Sequence, residues 1–300
     1  MNSSRLNIES WFIPIDILNI VCNSLIIGLS LVFLFVLILD KICHTTSMML
    51  TGNTCLSALM CGCCMLSICL NTLKNDLKQI QFQDSLCIFR AYITYVSGAL
   101  FMNSLLLQAI HRYFTVIYRT RLYFQSIRCQ FLIICLTWIF VSLHPMPVVF
   151  IGDIHYDGDN QMCQIYLKFS FSTIYISLCS YGIPTSLIIF IYFKLFRYVH
   201  KISTRVIHAT ALFRAKKELK MVQYIVILVV ILIILGFPYV LFILISFFTN
   251  LPKYHYRIAY LFIHVSLVFV LIALFQFSKT LKVATMKRIK KRLHIVAVIT

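Results

Sequence analysis

Charge is the scarcest thing in this sequence. Charged residues make up 12% of its 300 positions, and only nine residues are acidic. They are clumped, with long uncharged stretches between the clumps. A soluble domain of this size needs polar side chains over its whole exterior, so scarcity and clumping together exclude one. Paired carboxylates and the His-Glu-x-x-His spacing are both missing, which removes the usual equipment of an intramembrane enzyme. The apolar runs carry almost no acidic residues except at their ends. A transporter or channel needs several intramembrane charges or broken helices around a central site, so that class is disfavoured too. Glycine (8) and proline (6) are few, and no internal repeat or low-complexity tract breaks the chain. It reads as one membrane domain over residues 1–300.

What is present is apolar: 61% of the residues. A bilayer-spanning helix needs about 20 such residues in succession. Seven runs qualify, near 14–39, 46–71, 86–115, 128–150, 168–196, 220–248 and 256–277. The expected fold class is therefore an all-α membrane protein, a seven-transmembrane helix bundle. A short basic segment follows over 278–293, with Leu281, Met286, Ile289 and Leu293 at helix-like spacing. It suits an amphipathic C-terminal helix lying on the membrane surface. The first apolar run lacks a basic leader and is too long for a cleavable signal, so the first span is expected to act as the insertion signal.

The formal charge of +18 comes from 27 Lys and Arg. Nucleic acid is not the implied partner, because these residues sit in short loops between apolar runs. With the N-terminus outside, the first inner loop holds one, the second four, the third eight and the tail seven, leaving seven outside. The positive-inside rule thus favours N-terminus out and C-terminus cytoplasmic. Asp153, Asp157 and Asp159 then fall in an outer loop, and Asn2-Ser3-Ser4 becomes an accessible glycosylation sequon. Anionic lipid is an expected partner of the inner basic face.

Most of the twelve cysteines lie inside apolar runs, where a thiol is a small packing residue. Cys61, Cys63 and Cys64 cluster, but no His, Asp or Glu lies nearby to complete a metal site, and no metal or cofactor is implied. Cys87 and Cys163 fall outside. A disulfide between them is chemically reasonable in an oxidising exterior and would tie the second outer loop over the third helix. Arg112 lies 25 residues after Cys87, about 37 Å along a helix, enough to reach both interfaces.

Several residues at joint spacing carry a resemblance. His111-Arg112-Tyr113 resembles the Asp-Arg-Tyr that closes the third helix in rhodopsin-like (class A) G-protein-coupled receptors. Trp138, Pro147, Pro184, Tyr192 and Pro238 resemble that family's tryptophan and proline of the fourth helix, proline and inner tyrosine of the fifth, and proline of the sixth. Glu218 lies where many members carry an acidic partner for the third-helix arginine. The similarity covers essentially the whole chain and is nearest to divergent invertebrate members regarded as chemosensory. It implies a plasma-membrane receptor that binds an extracellular ligand and activates a heterotrimeric G protein. His111, Arg112, Tyr113, Tyr192, Glu218 and Pro238 would form the switch and coupling surface, with Arg112 paired to Glu218 at rest. The expected pocket lies in the outer half of the bundle, with Thr94, Tyr95, Met102, Tyr175, Tyr239 and His264 as candidate lining residues.

The departures matter as much. Ala58 stands where the family has the acidic residue of the second helix, so a bound sodium ion is in doubt. Val270-Leu271-Ile272-Ala273-Leu274 replaces Asn-Pro-x-x-Tyr, Gly236 replaces the sixth-helix tryptophan, and His111 replaces the aspartate beside Arg112. No lysine is placed to hold retinal, which argues against an opsin. Thr94 stands where amine receptors carry aspartate, so a cationic amine has no evident counter-ion and a small, weakly polar or apolar ligand is expected. The bland readings stand beside these: Arg112 as a snorkelling interface residue, the prolines as ordinary helix shaping, the pocket candidates as packing, and His264 as a structural histidine. A receptor-shaped protein that no longer signals is the other functional option.

Overall fold

A computed structural model describes residues 12–40, 45–118, 125–205, 230–234, 236–249, 252–277, 282–283 and 285–286. The helices in chain order are α1 (Phe12–Leu39), α2 (Thr46–Lys78), α3 (Cys87–Ile117), α4 (Ile127–Leu143) and α5 (Met146–Ile151). After a hairpin of β1 (Ile154–Asp157) and β2 (Met162–Ile165) come α6 (Phe171–Ser177), a π turn (Leu178–Gly182) and α7 (Ile183–Arg205). The apolar helix Val230–Ser246, here α8, and α9 (His255–Phe277) complete the series. Among the described residues six helical stretches are long and apolar enough to cross a membrane, α4 with α5 and α6 with α7 each counting as one, and α8 is a shorter apolar helix. The architecture is all-helical and multi-span apart from the hairpin.

The second span runs to Lys78, beyond the end expected near residue 71. Its polar last turns stay helical because Asn75 and Asp76 are buried against other elements, and it ends where Gln79 turns left-handed at φ 51°. The Gln79 and Ile80 N–H groups donate to the Asp76 and Asn75 carbonyls, satisfying the helix end. The fifth span begins at Phe171, not 168, capped by Ser170, which accepts from the Thr173 N–H. Pro184 lies two residues after the π turn ends at Gly182. Its ring cannot fit against the carbonyl four residues back, Ser180, and the widened turn relieves that clash.

α3 is the most buried span and the centre of the bundle. It packs against α2 and α7, while α1 packs on α2 and α9. α4 turns Phe131, Leu132, Leu136, Ile139 and Phe140 outward, a face suited to acyl chains. Cys55 and Cys61 pack in the core, whereas Cys63 is exposed on another face of the same helix. Trp138 Nε1 donates to Asn53 Oδ1 at 2.8 Å and ties α4 to α2. Ala58 is fully buried. Residues 278–281, 284 and 287–293 of the expected surface helix, the sequon at Asn2, and Glu218 lie outside the described residues; 282–283 and 285–286 are helical.

Candidate functional site

The Cys87 end of α3 is where the chain's polar and covalent devices converge. Cys87 and Cys163 form a disulfide with their Cα atoms 5.5 Å apart. It fastens β2 to the first turn of α3. The loop it holds is an antiparallel hairpin, with Tyr156 opposite Cys163. Its turn, Asp157-Gly158-Asp159-Asn160, is closed by Asp157 Oδ1 accepting from the Asp159 N–H (2.9 Å) and by Asn160 Nδ2 donating to Asp157 Oδ2 (2.7 Å). Burial raises the Tyr156 phenol above its usual pKa, so it stays protonated.

Three spans hold the hairpin from below. Tyr95 of α3 donates to Gln164 Oε1 at 2.5 Å and accepts from the Ile165 N–H at 3.1 Å. From α9, the Tyr256 hydroxyl donates to the Ile165 carbonyl and the Tyr256 N–H to Asn160 Oδ1 (3.2 Å). Gln161 Nε2 donates to Asp76 Oδ1 of α2 at 2.6 Å. A loop fixed at so many points is a lid with a set position.

Beneath it lies a cavity of about 180 Å³. Thr94, Tyr95 and Met102 line it from α3, Tyr239 from α8, with Ser266 and Leu267 from α9 and Tyr181 from the π turn. None of its described lining residues is charged. Four of the six residues expected in the pocket are therefore brought together. Tyr175 and His264 are not among its lining residues. Tyr175 turns toward α4, donates to the His144 carbonyl (3.1 Å) and stacks on Phe171. His264 is turned roughly 100° round α9 from Ile263 and is buried toward α1. Its Nδ1 lies 2.7 Å from Asn19 Oδ1 and 3.2 Å from Asn23 Nδ2.

Next to the lid is an arrangement that residue patterns alone did not reveal. Arg257 of α9 is 2% exposed and meets Asp76 of α2 through both Nη atoms, and Asp16 of α1 at 3.1 Å. The rings of Phe12 and Tyr254 lie 5.7 and 5.4 Å from the guanidinium carbon. Both carboxylates are buried. The signal was available: an ionisable residue at the edge of an apolar run needs a partner, and these three edges fall at the same depth once α1, α2 and α9 are packed together.

Deeper in the bundle, Gly236 of α8 faces Tyr181. A Cβ at Gly236 would lie 2.8 Å from the Tyr181 hydroxyl, which donates to the Leu232 carbonyl at 3.2 Å. At the opposite end of α3 from Cys87, Arg112 is half-buried and within electrostatic reach of the buried Tyr192. Tyr113 packs edge-on to Phe114, and His111 Nδ1 is buried without a partner among the described residues.

Comparison with known families matches residues 30–290 to the 7 transmembrane receptor (rhodopsin family). No curated protein matches the chain.

Proposed function

This chain belongs to the rhodopsin family of seven-transmembrane receptors, and from that premise we propose that it binds a small, weakly polar or apolar ligand beneath the hairpin. Membership assigns a multi-pass membrane receptor in signal transduction, with G-protein coupling as the family's general mode and no catalytic role. The proposal adds the ligand class, an N-terminus-out orientation, and movement of the sixth span as the output. The observation that carries it is the uncharged cavity under a lid pinned by the Cys87–Cys163 bond.

Pro238 cannot donate a backbone hydrogen bond, so α8 is weakened at the level of the cavity, whose wall includes Gly236 and Tyr239. A ligand that presses on Tyr239 or Tyr181 acts on that weak point. The inner end of the helix then moves from Arg112 and Tyr192 and opens a surface for a heterotrimeric G protein. Glu218 completes the switch as the resting partner of Arg112, and such a pair needs only a few kcal/mol to bias two states. Anionic lipid holds the basic inner loops, at about 1 kcal/mol per residue near the surface. A chemosensory role, of the divergent invertebrate type, fits a ligand recognised mostly by apolar contact.

The test is expression in cells carrying a panel of chimeric G proteins, challenged with odorant-like neutral compounds. A concentration-dependent response supports the reading. Absence of ligand-induced and basal coupling, with surface delivery confirmed, favours a receptor-shaped protein that has lost signalling.

A further inference from the structure

A second cleft lies at the Cys87 end of α3, apart from the cavity beneath the hairpin. It is walled by the last turns of α2 (Lys74, Lys78), the α2–α3 connection (Phe82, Asp84), the first turn of α3 (Arg90) and the hairpin (Tyr156). Its volume of about 370 Å³ falls within the roughly 300–1,000 Å³ of small-molecule pockets.

The charge of this cleft is one-sided. Arg90 Nη2 meets Asp84 Oδ2 at 2.7 Å, so those two cancel. Lys74 and Lys78 line the wall and have no ion-pair partner among the described residues. Asp76 does not neutralise them. It is turned roughly 200° round α2 from either lysine and is held by Arg257 on that other side. The wall therefore carries an excess of two positive charges. Another polar cleft, between the hairpin and the α8–α9 connection, sets Asp157 and Asp159 against Lys168 and Lys253 and has no such excess.

The lysines also sit at a defined depth. The apolar run of α2 ends near residue 71, so Lys74 stands in the first turn beyond the hydrocarbon, with Lys78 about 6 Å further along the axis. Leu70 and Leu77 share a helix face with Lys74 and are exposed, as is Phe82 on the cleft wall. An acidic group in the cleft can thus belong to a molecule whose chains stay in the bilayer beside α2. Interface lysines ordinarily extend into open water; here two of them border one walled space.

We propose that this cleft binds the phosphate headgroup of an anionic phospholipid, with Lys74 and Lys78 as its charge partners and Leu70 and Leu77 against its acyl chains. A soluble phosphate would satisfy the lysines but leave the leucines without a partner. A zwitterionic lipid brings its own cation against the excess positive charge and is the poorer occupant. Cys87 and Tyr156 belong to the same wall, so an occupied cleft braces the disulfide-held hairpin from the membrane side. The site is independent of what fills the cavity beneath the hairpin and lies at the opposite end of the bundle from the basic inner loops.

The experiment is photocrosslinking of the purified full-length chain in phosphatidylcholine nanodiscs. These contain a trace of phosphatidylglycerol with a photoreactive group next to its glycerol, and labelled peptides are mapped by mass spectrometry. The parent should be labelled between residues 70 and 90. Unlabelled phosphatidylglycerol should compete, whereas inorganic phosphate and glycerol phosphate at matched ionic strength should not. Lys74→Gln and Lys78→Gln should each reduce that labelling about fivefold, the loss expected for one lysine at a charged lipid surface. Lys74→Arg should retain it, and labelling of the basic inner segments should stay unchanged in all three variants. Both lysines are exposed and outside any ion pair, so the glutamine variants should keep the parent's thermal stability.

Full labelling of this segment in both glutamine variants, equal competition by phosphatidylcholine, or competition by the soluble phosphates overturns the proposal. So does the absence of labelling between residues 70 and 90 in the parent.

Discussion

Arg257 illustrates how a single residue ties distant parts of this chain together. Its guanidinium holds Asp76 through two contacts and Asp16 through one, which joins the first, second and seventh spans directly below the lid. Removing one member of a buried ion pair leaves the other charge uncompensated, at a cost of about 3–5 kcal/mol. Arg257→Gln and Asp76→Asn should each reduce stability by about that much, and Asp16→Asn by less, measured as thermal retention of the folded state in detergent. Equal losses for Asp16→Asn and Asp76→Asn would contradict the two-contact assignment. These three residues stand at the ends of apolar runs, where charge is ordinarily taken as flanking solvent. Local pattern does not encode which ends meet. Thr94, Tyr95, Met102 and Tyr239 could be placed by depth alone, because the cavity sits at one level of the bundle. Tyr175 and His264 have the right depth but the wrong rotation, and rotation about a helix that is apolar all round is not written in its sequence.

At the scale of elements, the spans were readable because a bilayer imposes length and hydropathy on each of them. The hairpin was not read, although Asp157-Gly158-Asp159-Asn160 between Ile154 and Ile165 has the turn chemistry for one. The π turn before Pro184 had no sequence signal beyond the proline. That turn presents Tyr181 to Gly236, so a tyrosine of the fifth span occupies space against α8 that a larger side chain at position 236 would need. Its single hydrogen bond to Leu232 is worth about 1 kcal/mol. Tyr181→Phe should raise basal signalling modestly by loosening this tie, whereas lowered basal signalling would show that the contact favours the active state. Cys163→Ser should cost about 2–5 kcal/mol and weaken ligand binding more than G-protein coupling, because the loop it frees is bonded to Tyr95, which lines the cavity. Equal ligand affinity in the variant would mean the lid does not shape the site.

For the whole molecule, the inherited family plan and its departures have to work together. The second- and seventh-helix motifs are replaced by Ala58 and by Val270 to Leu274, all in the apolar core except Ile272. The proposed switch therefore relies on Arg112, on the sixth span and on the cavity beside it. Glu218→Gln should raise basal signalling, and unchanged basal activity at normal surface expression would remove Glu218 from the switch. The central claim is that an occupied cavity drives G-protein activation, and Gly98 offers the most direct test. It lines the cavity, and a Cβ there meets nothing within 4 Å, so leucine fills the space without straining the helix. The measurement is ligand-stimulated nucleotide exchange on a heterotrimeric G protein by purified receptor, parent against Gly98→Leu. The parent should respond to a neutral, cavity-sized ligand while Gly98→Leu stays at its basal rate with its fold intact; an equal response from both would contradict the account.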